Sequence, residues 1–171
     1  MQALDVIIFD IQDVGVRYYT FISSMHYMMQ AAAQNKVKFM VLDRPNPNGM
    51  FVDGPILDMA FQSFVGMHPI PLLHGLTVGE LALMINGQGW LHNQAKVDLT
   101  VIEVEHYHHQ LRYSLPIKPS PNLPNDLSIA LYPSLAFFEA TPVSIGRGTD
   151  FAFQVIGHSS IAIDNFEFMP K

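Results

Sequence analysis

The stretch that most restricts the fold is Val6-Ile7-Ile8-Phe9, an unbroken apolar run that turns at once into Asp10, Gln12, Asp13, Arg17 and Tyr19. Such a run predicts a strand covered on both faces of a parallel sheet. Phe21, Ile22, Met25, Met28 and Met29 then recur at spacings of three and four, ahead of Ala31-Ala32-Ala33. That periodicity predicts an amphipathic helix over about 20–35. Val37 to Leu42 is a second apolar run, stopped by Asp43-Arg44-Pro45-Asn46-Pro47-Asn48-Gly49. Two prolines and a glycine make that segment an ordered turn. Strand, helix and strand on short links form a βαβ unit, almost always right-handed. The fold class is therefore α/β, with a mainly parallel sheet and flanking helices.

Bulk properties narrow the function. At 171 residues the chain suits one domain with a sizeable core and not comfortably two. Charged residues make up 14% against 49% hydrophobic, where about 25% charged is usual. That imbalance points to a deeply buried core or to a piece whose covering parts are elsewhere. A formal charge of −6, with no run of Lys or Arg, leaves no footprint for nucleic acid. The absence of cysteine excludes disulfides and thiolate metal sites. No apolar stretch reaches the roughly 18 residues of a membrane span. The first residues lack the basic region of a signal peptide and enter a strand at once, an abrupt start expected where a natural beginning is missing.

Further along, residues 50–75 are punctuated by Gly54-Pro55, Gly66, Pro69, Pro71 and His74-Gly75. A long irregular connection is a candidate site loop. Thr77-Val78-Gly79-Glu80 has capping-box spacing and opens a short helix ending near Asn86-Gly87. Asp98 to Val104 alternates as a strand. Lys118 to Asp126 is stiff and proline-rich, Ser128 to Leu131 a helical turn, and Leu135 to Phe138 a buried run leading to Glu139. A last strand is expected around Ile161 to Phe168.

In open α/β sheets ligands bind beyond the carboxyl ends of the strands, so Asp10, Asp13 and Arg17 are the first candidates for a pocket wall. The competing explanation is a structural ion pair and a carboxylate stabilised by a helix N-terminus. Asp43, Arg44 and Asn46 end the neighbouring strand and belong near the same edge, unless Asp43 and Asn46 serve turn backbone. Glu139, behind an apolar run, is where a carboxyl would be tuned for general-acid use, or else a buried Glu bonded to backbone. Glycines flanking Arg147 would let backbone approach a ligand that the guanidinium reaches. His106-Tyr107-His108-His109 reads as a solvated polar face in preference to a metal site.

The segments FDIQDVGVRYYT, VLDRPNPNG, GPILD, SFVGMHPIPLLHGLTVGELA, KPSPNLPND, LYPSLAFFEAT and SIGRGTDFAFQVIG, in this order, resemble the NamZ-like exo-β-N-acetylmuramidases. The resemblance runs from about residue 4 to residue 158. It implies a Rossmann-like α/β domain over 1–112, its first strands missing, and a proline-rich site segment with the start of a smaller C-terminal α+β part over 113–171. It implies exo-acting removal of β-linked N-acetylmuramic acid from the non-reducing ends of peptidoglycan fragments, without metal or nucleotide and outside the cytoplasm. Two carboxylates normally carry glycoside hydrolysis, and the resemblance makes Asp10, Asp13 and Glu139 the acidic wall. Arg17, Arg44 or Arg147 would pair with the lactyl carboxylate of muramic acid. Tyr19, Asp43, Asn46, His74, Ser120, Asn122 and Thr141 would contact the rest of the sugar.

Family members also carry an acidic Glu-His-Gly segment with no counterpart here, so the chain resembles their middle portion and little turnover is expected of it. The usual Glu-Gly-Thr is Glu139-Ala140-Thr141 in this chain, a strained substitution if that glycine has positive φ. The alternatives are a sugar- or muropeptide-binding module without chemistry and an inactive remnant. Open sheet edges would invite self-association in such a remnant.

Overall fold

A computed structural model describes residues 4–160 and 167–169. The chain divides into two compact units, one up to Tyr113 and one from Ser114 onward.

In the first unit, β1 (Val6–Phe9), β2 (Lys38–Leu42) and β5 (Leu99–Ile102) form a parallel sheet in the order β1-β2-β5. The register pairs Phe9 with Val41 and Val41 with Val101. Helix α1 (Phe21–Asn35) links the first two strands, and α2 (Val78–Gln88) lies between β2 and β5. Both steps across the sheet go the same way, so right-handed crossovers put both helices on one face. There Phe9, Phe39 and Val41 pack with Ile22, Met25 and Met29 of α1 and Leu81 and Ile85 of α2.

The opposite face carries Val6, Ile8 and Ile102, and Ile8 is 52% exposed. Among the described residues β1 is instead an edge strand with one face bare, because both crossover helices lie on the other face.

Short links shape the rest. Thr77 caps α2: its hydroxyl accepts from the Glu80 N–H at 3.2 Å, and the Glu80 carboxylate accepts from the Thr77 N–H at 2.8 Å. The helix passes Asn86-Gly87 and stops at Gly89, whose φ of 70° supplies the left-handed cap. Residues 50–75 are less structureless than expected: β3 (Val52–Asp53) and β4 (Leu73–His74) pair antiparallel, with a 3-10 turn at Met59–Phe61 between them.

In the second unit, α3 (Asp126–Leu135) replaces the single helical turn expected at Ser128. Asn125 and Ser128 form a reciprocal capping box, with Ser128 in the place usually held by Glu or Gln. Ile129, Tyr132, Ile145 and Phe153 are buried in this unit, and the rings of Tyr132 and Phe153 meet edge to face at 4.9 Å. Its described β structure is limited to single bridges, Ser120 to Leu123 and Ser144 to Gly157. The strand expected at Ile161 to Phe168 falls largely outside the described residues. Among the described residues no helix is long and apolar enough to cross a membrane.

Candidate functional site

Because β1, β2 and β5 run parallel, their carboxyl ends open on one edge of the sheet. A cleft of about 550 Å³ lies there, lined by Asp10, Asp43, Arg44, Glu105, His106, Tyr107 and Tyr113 among others. Asp10 follows β1 and pairs with Arg44, which follows β2. Arg44 Nε donates to Asp10 Oδ1 at 2.8 Å, and Nη2 lies 2.5 Å from the same oxygen. Both side chains are close to half exposed.

Asp43 looks the other way. Its Oδ1 accepts from the Gly79 N–H at 2.7 Å and the Arg44 N–H at 3.0 Å, and its Oδ2 accepts from the Thr77 hydroxyl at 2.7 Å. The carboxylate thus satisfies donors at the α2 N-terminus, where the helix dipole favours negative charge. A Cβ at Gly79 would stand 2.7 Å from both Asp43 Cγ and Val101 Cγ1, so only glycine lets the helix come this close. Tyr107 donates to the Asn46 carbonyl at 3.1 Å. Burial pushes its phenol pKa up, with Glu80 and Asp43 adding to the rise. The histidines nearby do not gather: His109 lies 3.0 Å from Glu80, and His106 lines the cleft.

A second polar group is buried under the loop that follows β1. Asp13, 4% exposed, accepts from the Gly15 N–H at 2.7 Å and faces His74 Nε2 at 3.5 Å. His74 Nδ1 accepts from the Leu76 N–H at 3.2 Å, so the neutral ring carries its proton on Nε2, toward Asp13. Burial, then the Asp13 charge, push Tyr19 up to about 12. Asn46 is engaged at both ends of its amide, which donates to the Leu76 carbonyl at 2.9 Å and accepts from the Asn48 N–H at 2.9 Å. Asn48 in turn donates from its amide to the Val14 carbonyl at 2.9 Å. Close by, His26 Nδ1 and His68 Nε2 share a 3.0 Å hydrogen bond. Burial drives His68 down to about 3, helped by His26 and His74, and also lowers His26. Asp13 Oδ1, His68 Nδ1 and His74 Nε2 have no hydrogen-bond partner among the described residues.

The sequence candidates are therefore sorted into different places. Asp10, Asp43 and Arg44 share the cleft; Asp13, Tyr19, Asn46 and His74 lie in the buried network. Arg17 joins neither. Its Nη1 donates to the Pro55 carbonyl at 2.7 Å and the Ile70 carbonyl at 2.6 Å, fastening the two ends of the 50–75 loop. That loop supplies no cleft-lining residue.

In the second unit Glu139 is exposed and pairs with Arg147 at 2.5 Å. The buried run expected before it is absent: Phe137 is 60% exposed in a 3-10 turn, Ala136–Ala140. The burial that a general-acid role calls for is therefore absent at Glu139. Ala140 sits in that turn without positive φ, so the glycine-to-alanine difference brings no strain. Gly146 and Gly148 do have positive φ, of 77° and 79°, but the close approach at Gly146 is to the Phe151 carbonyl of the chain itself. Thr141 donates to the Phe138 carbonyl at 2.8 Å, and Ser120 accepts from the Asn122 N–H at 3.3 Å, both local turn bonds.

Glu105, His106, Tyr107 and Tyr113 of the cleft were not among the candidates. The rule that selected Asp10 and Asp43 as groups after a parallel strand selects Glu105 to Tyr107 equally well. His106 and Tyr107 fall in a stretch whose polarity equally suits a solvated surface, which is how the sequence reads.

A parallel α/β sheet with a polar cleft at its strand ends defines the architecture. The family model described as exo-beta-N-acetylmuramidase NamZ, N-terminal, matches residues 1–127, and that for its C-terminal part matches residues 130–169. The chain belongs to the NamZ exo-β-N-acetylmuramidase family. It is 45% identical over 162 residues to the peptidoglycan beta-N-acetylmuramidase NamZ of Bacillus subtilis (strain 168), covering 92% of this chain and 38% of that protein. The crystal structure of a DUF1343 family protein from Bacteroides fragilis NCTC 9343 superposes with a TM-score of 0.95 at 56% identity, over 98% of this chain and 47% of that one. A second DUF1343 protein of the same organism gives 0.83 at 39% identity, over 89% and 41%. The chain thus spans less than half the length of each of these relatives.

Proposed function

We propose that this chain carries the saccharide-binding cleft of an exo-acting glycosidase that removes β-linked N-acetylmuramic acid from the non-reducing end of peptidoglycan fragments. The observation that carries this reading is the strand-end cleft itself. Its 550 Å³ suits a sugar residue, and it joins hydrogen-bonding carboxylates to an arginine and two tyrosine rings. Membership of a family described by muramidase activity supplies the substrate class.

One observation favours binding without turnover by this chain alone. Glycoside hydrolysis normally uses two carboxylates flanking the scissile bond. Of the acidic groups lining the cleft, Asp10 is tied to Arg44 and Asp43 to the start of α2, leaving Glu105. Incubation with a chromogenic β-N-acetylmuramic acid glycoside, alongside titration calorimetry with the N-acetylmuramic acid–N-acetylglucosamine disaccharide, separates the two. Heat of binding without chromophore release supports the binding reading; release with turnover establishes the glycosidase. Neither signal at millimolar sugar would remove the cleft from saccharide recognition.

A further inference from the structure

Three arginines are candidates for an anionic substituent on the sugar, and the structure distinguishes them by where they stand. Arg17 donates to two loop carbonyls and Arg147 pairs with Glu139, and neither lines the cleft. Arg44 lines the cleft with its Nε and Nη2 both directed at one oxygen, Asp10 Oδ1.

A guanidinium has five N–H donors in a planar fork. Converging Nε and one Nη2 hydrogen on a single oxygen uses two of them. The outer end of the fork, Nη1 with the second Nη2 hydrogen, has no protein partner among the described residues and belongs to a side chain 40% exposed. That end has the spacing to take a carboxylate by two parallel hydrogen bonds. Two contacts to Asp10 hold the guanidinium along its Nε and Nη2 edge.

We infer that Arg44 reads the lactyl carboxylate of the muramic acid ring through the free end of its guanidinium, with Asp10 as the residue that positions it. This rests on the saccharide reading of the cleft. Asp10 and the incoming carboxylate then occupy adjacent edges of one guanidinium that share Nη2, close enough to repel. The design trades some affinity for a fixed orientation and discriminates against sugars that lack the lactyl group. N-Acetylglucosamine, identical except for that group, gains nothing from the arginine.

Titration calorimetry on the 171-residue chain with N-acetylmuramic acid and with N-acetylglucosamine tests this. N-Acetylmuramic acid is expected to bind about tenfold to a hundredfold more tightly, the scale of a charged bidentate contact. Arg44→Gln is expected to erase that preference while leaving the weaker sugar's affinity and the thermal midpoint near their original values. Asp10→Asn keeps an oxygen for Arg44 and removes the repelling charge, so binding of N-acetylmuramic acid should tighten by about threefold.

A preference that survives Arg44→Gln overturns the inference. So does equal binding of the two sugars by the original chain, although the cleft would remain a saccharide site. Loss of the preference in Asp10→Asn as complete as in Arg44→Gln would assign the pair to bracing the strand ends, and overturn it too. If neither sugar binds, the cleft reading itself has failed, and the inference with it.

Discussion

Asp10 and Asp13 stand on the same short loop after β1, three positions apart, and the chain uses them in opposite ways. Asp10 is half in water, bonded to a side chain that is itself half in water. Asp13 is buried, turned inward onto Gly15 and His74. The cleft is built from groups that keep a solvated face and spare hydrogen-bonding capacity. The inner network is built from groups whose bonds hold three loops together: the one after β1, the one after β2, and β4 with its flanks. Two carboxylates alike in the sequence thus divide between a solvated cleft and a buried network according to which side of one turn they fall on.

The largest expected effect lies in the inner network. Gly15 has φ of 76°, and a Cβ there would stand 2.3 Å from Asn46 Oδ1. Gly15→Ala should cost about 3 kcal/mol or more, combining left-handed backbone strain with overpacking, read as a fall in the thermal midpoint. A loss under about 1 kcal/mol would mean the network is loose enough to rearrange.

Acid should weaken the same region. Unfolded histidines take up protons near pH 6.5, whereas buried His68 stays neutral down to about 3 and burial lowers His26 as well. The unfolded state therefore binds more protons below pH 6.5, and stability falls as pH drops through that range. For one histidine kept neutral the loss at pH 5 is about 2 kcal/mol. Urea unfolding midpoints at pH 7 and pH 5 measure it, and replacing His26 and His68 together by leucine should flatten the difference.

Asp43 lies on the border between the two regions. It lines the cleft yet satisfies the first turn of α2, so Asp43→Ala should lower stability by about 1–2 kcal/mol. Arg44→Ala stands at the small end. The ion pair it breaks is largely exposed, and such pairs contribute about 0–1 kcal/mol. Chemical unfolding of this pair of variants side by side sharpens the division. Equal losses would erase it.

Much of the first unit was legible in the chain itself. The apolar periodicity of α1, the second strand and the Thr77–Glu80 box all depend on local order, and each formed where the pattern placed it. The bare face of the sheet was not legible, because an apolar run does not say on which side the crossover helices lie. α3 was underestimated because Asn125 and Ser128 make an unfamiliar pair of caps. The site was half visible. Strand-end position led to Asp10, Asp43 and Arg44, which line the candidate cleft, but residue type cannot tell a side chain that keeps a solvated face from one turned inward. Asn46 and His74 look as suited to sugar hydroxyls as any residue in the sequence; only their burial and their bonds to Leu76 and Asn48 place them in the inner network.

The loop after β2 also bears on how this protein would age. Asn48-Gly49 is a pair in which the glycine N–H readily attacks the asparagine side chain, releasing ammonia and leaving an aspartate or its isomer. Here the Gly49 N–H is engaged with the Asn46 carbonyl at 3.1 Å, and the Asn48 amide is buried against the Val14 carbonyl. Asn46 is followed by Pro47, whose nitrogen has no proton to lose in such an attack. The buried network that sets the shape of the loop thus also protects its two asparagines chemically. Slow conversion at Asn48 on storage, visible as a mass increase of about one dalton, would report local opening of this loop before any loss of the overall fold.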